Sequence, residues 1–283
     1  MAERVKTLLL RMERVKYAYQ AERYVLNGID WEIPERKKCA LIGPNGCGKT
    51  TLFLHLNGLL RAQEGAVYWK GRNMYERGAD WTQWRREVGI VFQNPEHQIL
   101  APLVRDELAI SLVHAGIDRE KMREALAAIT AEYHLQSWLD RPTHQFSLGQ
   151  KKWLTLCCTM AAKPDLLVLD EPTAYLDQHQ TKQFLKQIDA IHQAGTTVLI
   201  ATHDMDFVWQ WADVVAVMHE GRIVMQGAPE DVFADRQRLL DIRLDVPLFV
   251  RLWQAWRPEE KIVPDVLRRE RDMSGEWSVK NGC

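Results

Sequence analysis

The sequence lacks a membrane-spanning run, a secretion signal and an excess of charge of either sign. No apolar stretch approaches the 18 or more residues of a spanning helix, and the first residues contain no signal-peptide core. Lys and Arg number 37 against 38 Asp and Glu, a net charge of −1 that argues against a polyanion as the main partner. We therefore expect a cytosolic chain, soluble or peripheral to a membrane, that does not bind nucleic acid.

Cysteine is scarce, and no two cysteines have the Cys-x-x-Cys spacing of a redox or zinc motif. An odd number of cysteines is typical of a reducing compartment, where structural disulfides are rare. The five cysteines are Cys39, Cys47, Cys157, Cys158 and Cys283.

The order of the apolar segments predicts an α/β fold around one nucleotide-binding core, because no segment is repeated. The first 35 residues alternate between apolar and polar, which predicts two antiparallel strands. Apolar strands at 37–42, 87–93, 165–171 and 196–203 alternate with helical segments. This alternation indicates a mainly parallel sheet whose functional residues lie at the carboxyl ends of its strands.

Three changes of pattern divide the chain. From about residue 95 to 162 the pattern becomes helical, which predicts a helical lobe inserted into the α/β core. We expect residues 1–228 to form a nucleotide-binding domain and residues 229–257 a helical C-terminal extension. The remaining residues, 258–283, are polar and form a predicted tail.

The stretch GPNGCGKTT (43–51) fits the P-loop pattern and lies between a predicted strand and a predicted helix. In such a loop the backbone N–H groups wrap the phosphates, Lys49 reaches the β- and γ-phosphates, and Thr50 places its hydroxyl on Mg²⁺. A plain glycine turn is the alternative, but few sequences satisfy the motif and its flanks together. The predicted ATP-binding residues of the loop are Gly43, Pro44, Asn45, Gly46, Cys47, Gly48, Lys49, Thr50 and Thr51. Of these, Cys47 is interpreted as a small space-filling residue without a redox role.

Polar residues end three of the predicted strands. Asp170 and Glu171 follow the apolar run LLVL, where Asp170 is placed to hold Mg²⁺ and Glu171 to act as general base on the attacking water. Gln93 and His203 each end another strand, and a parallel sheet brings such ends to one edge. We therefore expect both to line the γ-phosphate. A solvated strand end and a structural histidine are the alternatives.

The stretch HQFSLGQKKWLTLCC (144–158) predicts a helix start with the features of an anion site. Ser147 is a candidate N-cap, Gly149 permits close approach to the backbone, and Lys151 and Lys152 add positive charge. Free N–H groups and the helix dipole favour phosphate at such a position. An ordinary capped helix explains the same residues, so both interpretations stay open.

These motifs, taken with VFQNPEHQ (91–98), LLVLDEPTAYLD (166–177) and ATHD (201–204), resemble those of the ATP-binding subunits of ABC transporters in order and spacing. The resemblance extends from residue 8 to about residue 228. The glutamine stretch FQNPEHQI (92–99) and the C-terminal segment 227–253 are most similar to the energy-coupling-factor type. Within that type, residues 43–71 look closest to the ATPases of cobalt and nickel uptake.

The resemblance implies roles for residues that the motifs alone leave undefined. This family has a signature motif, represented here by FSLGQ (146–150), that caps a nucleotide held by a partner subunit. By this resemblance Ser147, Gly149 and Gln150 would bind the γ-phosphate of another chain. Asp177 would bridge the two subunits. Leu148 departs from the family, which usually has glycine there, and its side chain restricts the backbone and alters closure.

The resemblance also implies that Tyr19 stacks on adenine, although a plain strand aromatic is the alternative. Gln93 would join Thr50 and Asp170 as a magnesium ligand. The implied cofactors are therefore ATP and Mg²⁺, and each chain would supply half of each of two ATP sites.

The implied function is ATP hydrolysis that energises uptake of a small nutrient, a cobalt or nickel ion, at the cytoplasmic face of the membrane. The partners would be a second ATPase subunit, with a homodimer favoured, and integral membrane subunits. A vitamin importer is the nearest alternative. A soluble ATPase acting on nucleic acid or ribosomes is disfavoured by balanced charge and a single core. A P-loop kinase is disfavoured by the signature, by His203 and by the missing acceptor-binding lid.

Overall fold

A computed structural model describes residues 7–20 and 23–257 of the chain. The strands found in this part are β1 (Leu8–Tyr17), β2 (Leu26–Pro34), β3 (Lys38–Ile42), β4 (Glu64–Trp69), β5 (Arg72–Asn73), β6 (Val88–Val91), β7 (Leu166–Asp170), β8 (Thr197–Ala201), β9 (Val214–His219) and β10 (Arg222–Gly227). The α-helices are α1 (Lys49–Leu56), α2 (Trp81–Glu87), α3 (Val104–His114), α4 (Met122–Glu132), α5 (Leu148–Met160), α6 (Gln178–Gln193), α7 (Met205–Trp211), α8 (Pro229–Ala234), α9 (Arg236–Asp241) and α10 (Leu248–Trp256). The predicted α/β class is confirmed.

The N-terminal strands form an antiparallel sheet in the order β2-β1-β4-β5. Strands β1 and β2 pair with Met12 opposite Trp31, so the two antiparallel strands expected from the alternating pattern are confirmed. Strand β4 pairs antiparallel with β1 on the side away from β2. This sheet is therefore separate from the parallel core.

The core is a six-stranded sheet in the order β10-β9-β3-β8-β7-β6. All of its neighbouring pairs are parallel except β9 with β10, which form a hairpin. The order places β3, β8, β7 and β6 side by side. Because parallel strands end at one edge, the loops after these four strands open on the same side of the molecule.

Strand β7 shows why this sheet is buried on both faces. Leu166 and Val168 pack into the hydrophobic cluster shared with the N-terminal sheet and α1. Leu167 and Leu169 point to the opposite face and pack into the cluster formed with the helices. Successive side chains of a strand alternate between faces, so a strand covered on both sides reads as one continuous apolar run.

The predicted helical lobe contains α3, α4 and α5, whose buried hydrophobic residues belong to the cluster formed with the helices. The predicted C-terminal extension contains α8, α9 and α10, and Phe233, Leu239 and Val250 bury in that same cluster. The domain boundary at residue 228 stays a prediction. The predicted polar tail, 258–283, lies outside the described residues. Among the helices that are described, none combines the length and hydropathy needed to cross a membrane.

Candidate functional site

The P-loop leaves the buried strand β3 at Gly43 and enters α1 at Lys49. Gly48 precedes the helix with φ of 110°, in the left-handed region that a residue with a Cβ rarely adopts. The Lys49 ammonium donates to the carbonyl oxygens of Gly43 at 2.8 Å and Pro44 at 3.1 Å. The lysine is therefore held against its own loop, within reach of any phosphate that the loop receives.

A cavity of about 430 Å³ opens over this loop. It gathers the predicted strand ends from three different strands beside the P-loop. Its lining residues are Val25, Asn45, Gly46, Gly48, Lys49, Thr50, Thr51, Gln93, Asp170, Glu171 and His203. The cavity therefore brings six of the predicted P-loop residues together with the predicted strand ends, while Gly43, Pro44 and Cys47 of the loop are not among its lining residues. Sequence reasoning missed Val25, because a valine between two strands carries no motif.

The hydroxyl of Thr50 donates to Asp170 Oδ2 at 2.9 Å. Asp170 is 6% exposed, and burial raises the pKa of its carboxyl, while the hydrogen bond from Thr50 opposes that rise. The carboxylate forms no ion pair within the part of the chain that is described. A buried carboxylate, a hydroxyl and the Gln93 amide facing one cavity make the hard oxygen donor set that Mg²⁺ prefers. These residues therefore fit a magnesium ion.

Glu171 and His203 form a hydrogen-bonded pair at the cavity. His203 Nδ1 lies 3.0 Å from Glu171 Oε1, and the N–H donates because a carboxylate only accepts. The glutamate side chain is 12% exposed and the histidine side chain 81% exposed. A buried carboxylate with an exposed imidazole beside it can receive a proton from a water molecule at the cavity mouth.

The backbone of Glu171 is left-handed, with φ of 44°. Its N–H donates to the carbonyl of Ala201 at 2.9 Å, which ties it to the end of β8. A left-handed residue other than glycine costs about 1–2 kcal/mol, and such residues concentrate at functional sites. The surroundings of Glu171 therefore hold it in a conformation that it would not choose by itself.

The two lysines after the signature do not act as free positive charges at the helix start, contrary to the sequence interpretation. Lys151 forms an ion pair with Glu96 at 2.5 Å. Lys152 is fully buried, and its ammonium donates to the carbonyls of Glu171 at 2.8 Å and Ala174 at 3.2 Å. Burial lowers the pKa of Lys152 to about 8. Helical periodicity explains the difference, because adjacent residues on α5 face different surroundings.

Ser147 is the N-cap of α5, as expected. Its Oγ accepts from the N–H of Gln150 at 3.2 Å, and Gln150 Oε1 accepts from the N–H of Ser147 at 3.1 Å. This capping box satisfies two of the free helix donors within the chain. Leu148 is the first helical residue and is 36% exposed. Ser147 and Gln150 lie outside the residues that line the P-loop cavity of the same chain.

Gly149 and Asp177 lie where the starts of α5 and α6 meet. A Cβ on Gly149 would lie 2.9 Å from Gln180 Oε1 and 3.1 Å from Leu176 Cδ2. Asp177 caps α6 by accepting from the N–H of Gln180 at 2.8 Å. Close packing within the chain therefore accounts for glycine at 149, and helix capping accounts for aspartate at 177. Their predicted roles toward a second chain stay predictions.

Tyr19 lies two residues beyond the end of β1. Its ring is 59% exposed and meets Tyr17 edge-on, with centroids 5.1 Å apart. Its hydroxyl lies 3.3 Å from Thr51 Oγ1 at the end of the P-loop. An exposed ring beside the loop is available for stacking on a base, which stays a prediction.

Cys47 is buried inside the loop, with its Sγ 4.0 Å from Lys49 Nζ. Burial raises the pKa of its thiol, although the Lys49 charge opposes the rise. A buried thiol of raised pKa carries little thiolate at neutral pH, so the geometry agrees with a space-filling residue.

Comparison with known proteins identifies relatives over most of the chain. The sequence profile of the family described as ABC transporter matches residues 26–174. A putative ABC transporter ATP-binding protein of Nostoc sp. is 43% identical over 240 residues, 84% of this chain and 88% of the relative. The energy-coupling factor transporter ATP-binding protein EcfA of Methanocaldococcus jannaschii is 34% identical over 87% of this chain and 88% of its own length.

A solved structure gives the same result. The chain superposes on cbiO1 from Clostridium perfringens, described as part of the ABC transporter complex cbiONQ, with a TM-score of 0.72 and 30% identity. The match covers 89% of this chain and 97% of that one.

Proposed function

This chain belongs to the ATP-binding subunits of ABC transporters, of the energy-coupling-factor type, and we propose that it powers cobalt or nickel uptake from the cytoplasmic face of the membrane. It is an ATPase. The observation that carries the hydrolysis part of the proposal is the cavity in which Lys49, the Thr50–Asp170 pair and the Glu171–His203 pair meet. The choice of a cobalt or nickel ion rests on the resemblance of residues 43–71 to the ATPases of cobalt and nickel uptake.

The cavity supports a direct mechanism for hydrolysis. ATP lies with its phosphates along the P-loop. The Lys49 ammonium then exchanges its hydrogen bonds to the Gly43 and Pro44 carbonyls for contacts with the β- and γ-phosphates. Thr50, Asp170 and Gln93 would hold Mg²⁺, which supplies positive charge to the phosphate oxygens when it is bound. Glu171 takes a proton from the water that attacks the γ-phosphorus, the bond to ADP breaks, and phosphate leaves. His203, hydrogen-bonded to Glu171, orients the carboxylate and the water.

Two chains together complete the sites in this proposal. Ser147, Gly149 and Gln150 bind the γ-phosphate on a second copy, Asp177 contacts that copy, and Tyr19 stacks on adenine. The homodimer is favoured because Lys49 and Glu171 are both present, so that two copies form two equal sites. The exposed Leu148 beside Ser147 narrows the space available to the partner's nucleotide.

A second cavity is the proposed contact with the membrane subunits. Its volume is about 570 Å³, and residues of α2, β6 and α3 line it. Arg85, Arg86, Glu107 and His114 supply polar groups at this cavity, and Phe92 and Leu100 contribute apolar surface. A groove of this composition fits an amphipathic cytoplasmic helix that presents an apolar stripe flanked by charges.

The substrate is tested by transport itself. The chain, tagged and produced with its neighbouring membrane proteins, is purified from detergent-solubilised membranes with whatever copurifies, and the complex is placed in liposomes. We expect ATP-dependent accumulation of Co²⁺ or Ni²⁺ that is absent with Lys49→Ala. Accumulation of a vitamin and of no metal ion would move the proposal to a vitamin importer.

Two further outcomes would remove the transport proposal. Recovery of the chain with RNA rather than membrane proteins after crosslinking supports the soluble class. Transfer of the γ-phosphate to a metabolite, without release of free phosphate, supports a kinase.

A further inference from the structure

Lys152 is a lysine with a fully buried side chain, in the part of the chain that the structure describes. Lysine is almost never fully buried, because removing an ammonium from water is costly unless its donors are satisfied. Here the side chain has no solvent exposure, and no carboxylate forms an ion pair with it among the described residues. Its contacts are two backbone carbonyls and the ring of Tyr175, 5.7 Å from the ammonium. Burial lowers the pKa of Lys152, and the charges of the Glu171 and Asp170 carboxylates oppose that shift.

The carbonyl that Lys152 binds belongs to Glu171, the proposed general base. This oxygen also accepts from the N–H of Ala174 at 3.1 Å, which closes the turn after β7. The second carbonyl bound by Lys152 is that of Ala174 itself. One ammonium therefore holds both ends of the turn that begins at Glu171.

That turn needs an external constraint. Glu171 and Tyr175 both have positive φ, 44° and 69°, without the freedom of glycine. If the turn relaxed, rotation about the Glu171 backbone would swing its carboxylate away from His203 Nδ1. Charge-assisted hydrogen bonds are roughly twice as strong as neutral ones, so an ammonium on the carbonyls is suited to oppose that relaxation.

Lys152 reaches this position from α5. Ser147 of the signature caps the start of this helix, and Lys152 lies about one turn further on. The end of α5 that is proposed to meet the partner's nucleotide and the side chain that holds Glu171 therefore belong to one rigid element.

We propose that Lys152 is a positioning residue for ATP hydrolysis, which holds the Glu171 backbone and links the general base to the signature helix. The proposal rests on the proposed role of Glu171. It predicts that Lys152 affects the chemical step and not nucleotide binding, because its ammonium contacts no group of the P-loop.

The test is a double-mutant cycle with Lys152→Met and Glu171→Gln, measured as ATP-dependent phosphate release in the complete complex. For Lys152→Met we expect kcat to fall about 10–10²-fold, the effect of a small displacement of a reacting group, with KM for ATP nearly unchanged. Lys152→Arg, which keeps the charged donors, should recover most of kcat. Lys163→Met, which removes an exposed lysine just beyond α5, is the control and should match the wild type.

The cycle separates positioning from general loss of structure. If Lys152 acts through Glu171, adding Lys152→Met to Glu171→Gln lowers kcat no further. If Lys152→Met does not fold, Lys152→Gln, with a shorter and neutral donor, takes its place with the same expected result.

Four results would overturn the positioning role. They are wild-type kcat in a folded Lys152→Met protein, an equal loss for Lys152→Arg, a loss confined to KM, or losses that multiply in the double variant. Wild-type turnover of Glu171→Gln is a separate result, since it removes the general base from the proposed function itself.

Discussion

Glu171 shows how one side chain acquires a function from its neighbours. The carboxylate is largely buried, pairs with an exposed imidazole, and extends from a backbone held by β8 and Lys152. None of these contacts lies near it in sequence. The residue type supplies the chemistry, and the contacts supply the orientation.

Replacing Glu171 by Gln should keep ATP binding and lower hydrolysis by about 10²–10⁴-fold, the usual contribution of a general base. The amide has nearly the shape of the carboxylate but cannot accept a proton from water. Phosphate release and nucleotide affinity, measured on the same preparation, check both parts. Glu76→Gln, at an exposed position outside the cavity, is the matched control. Near wild-type turnover in Glu171→Gln would contradict the assignment.

The burial of His55 leads us to predict that the free energy of unfolding depends on pH. The ring is fully buried on α1, its Nδ1–H donates to the Thr51 carbonyl at 2.8 Å, and Tyr17 meets it edge-on. Its Nε2 is buried without a partner among the described residues. Burial lowers the pKa of His55, so the folded protein keeps the ring neutral.

The sign of the effect follows from proton binding. Below about pH 6.5 the unfolded chain protonates His55 while the folded chain does not, so the free energy of unfolding falls with decreasing pH until the lower folded pKa is reached. One proton contributes at most about 1.4 kcal/mol per pH unit. Urea unfolding between pH 7.5 and 5.5 should show a shallower loss for His55→Leu than for the wild type. Identical slopes for the two proteins would contradict the prediction.

Among the strands, the start of β4 depends on a glycine. Gly65 has φ of 88°, and a Cβ there would lie 2.4 Å from the Glu13 carbonyl oxygen and 2.5 Å from that of Arg14. These oxygens belong to an irregular stretch of β1, where the register with β4 shifts. The observed pairing of β1 with β4 therefore leaves no room for a side chain at residue 65.

Gly71 provides a matched comparison, because its φ is 78° and nothing lies within 4 Å of the Cβ position. Gly71→Ala should cost about 1–2 kcal/mol of unfolding free energy, the penalty of the left-handed conformation alone. Gly65→Ala should cost at least about 1 kcal/mol more, because the backbone of β1 must move as well. Urea unfolding measures both. Equal losses of unfolding free energy in the two variants would contradict the prediction, because they would show that the β1 backbone moves aside without an energetic cost.

For the assembled protein, the central prediction is that Ser147 meets a phosphate held by a second chain. Within one chain Ser147 lies outside the P-loop cavity, and its capping box with Gln150 is complete. Two variants with different defects can decide it. Lys49→Ala removes phosphate binding at its own P-loop, and Ser147→Arg obstructs the position of a partner's γ-phosphate.

If each site takes its P-loop from one chain and its signature from the other, a mixed dimer has one site with both defects and one with neither. Mixing the two inactive variants should then recover part of the phosphate release, limited by dimer statistics and by any need for two working sites. The membrane subunits are included if the isolated subunit is inactive. Full activity of Ser147→Arg alone, or no recovery of phosphate release when mixed dimers form, would contradict the prediction. Ser147 would then be interpreted only as the N-cap of α5.

The P-loop and the polar ends of β7 and β8 were predictable because their chemistry is local. A glycine-rich loop between a strand and a helix has few other uses, and parallel strands must end at one edge. Gln93, Asp170, Glu171 and His203 therefore meet beside Lys49 as a consequence of strand order, as the cavity shows. The apolar run LLVL of β7 is likewise a local signal, and it agrees with the burial of this strand on both faces.

Other features depend on packing between segments that are far apart in the chain, so the local sequence pattern does not predict them. Lys152 reads as one of two surface charges until α5 packs on the turn after β7 and buries it. The close packing of Gln180 and Leu176 against Gly149 likewise has no signal in the local sequence. Residue type and spacing specify the chemistry of this site, whereas burial and orientation follow from long-range contacts that form only in the folded chain.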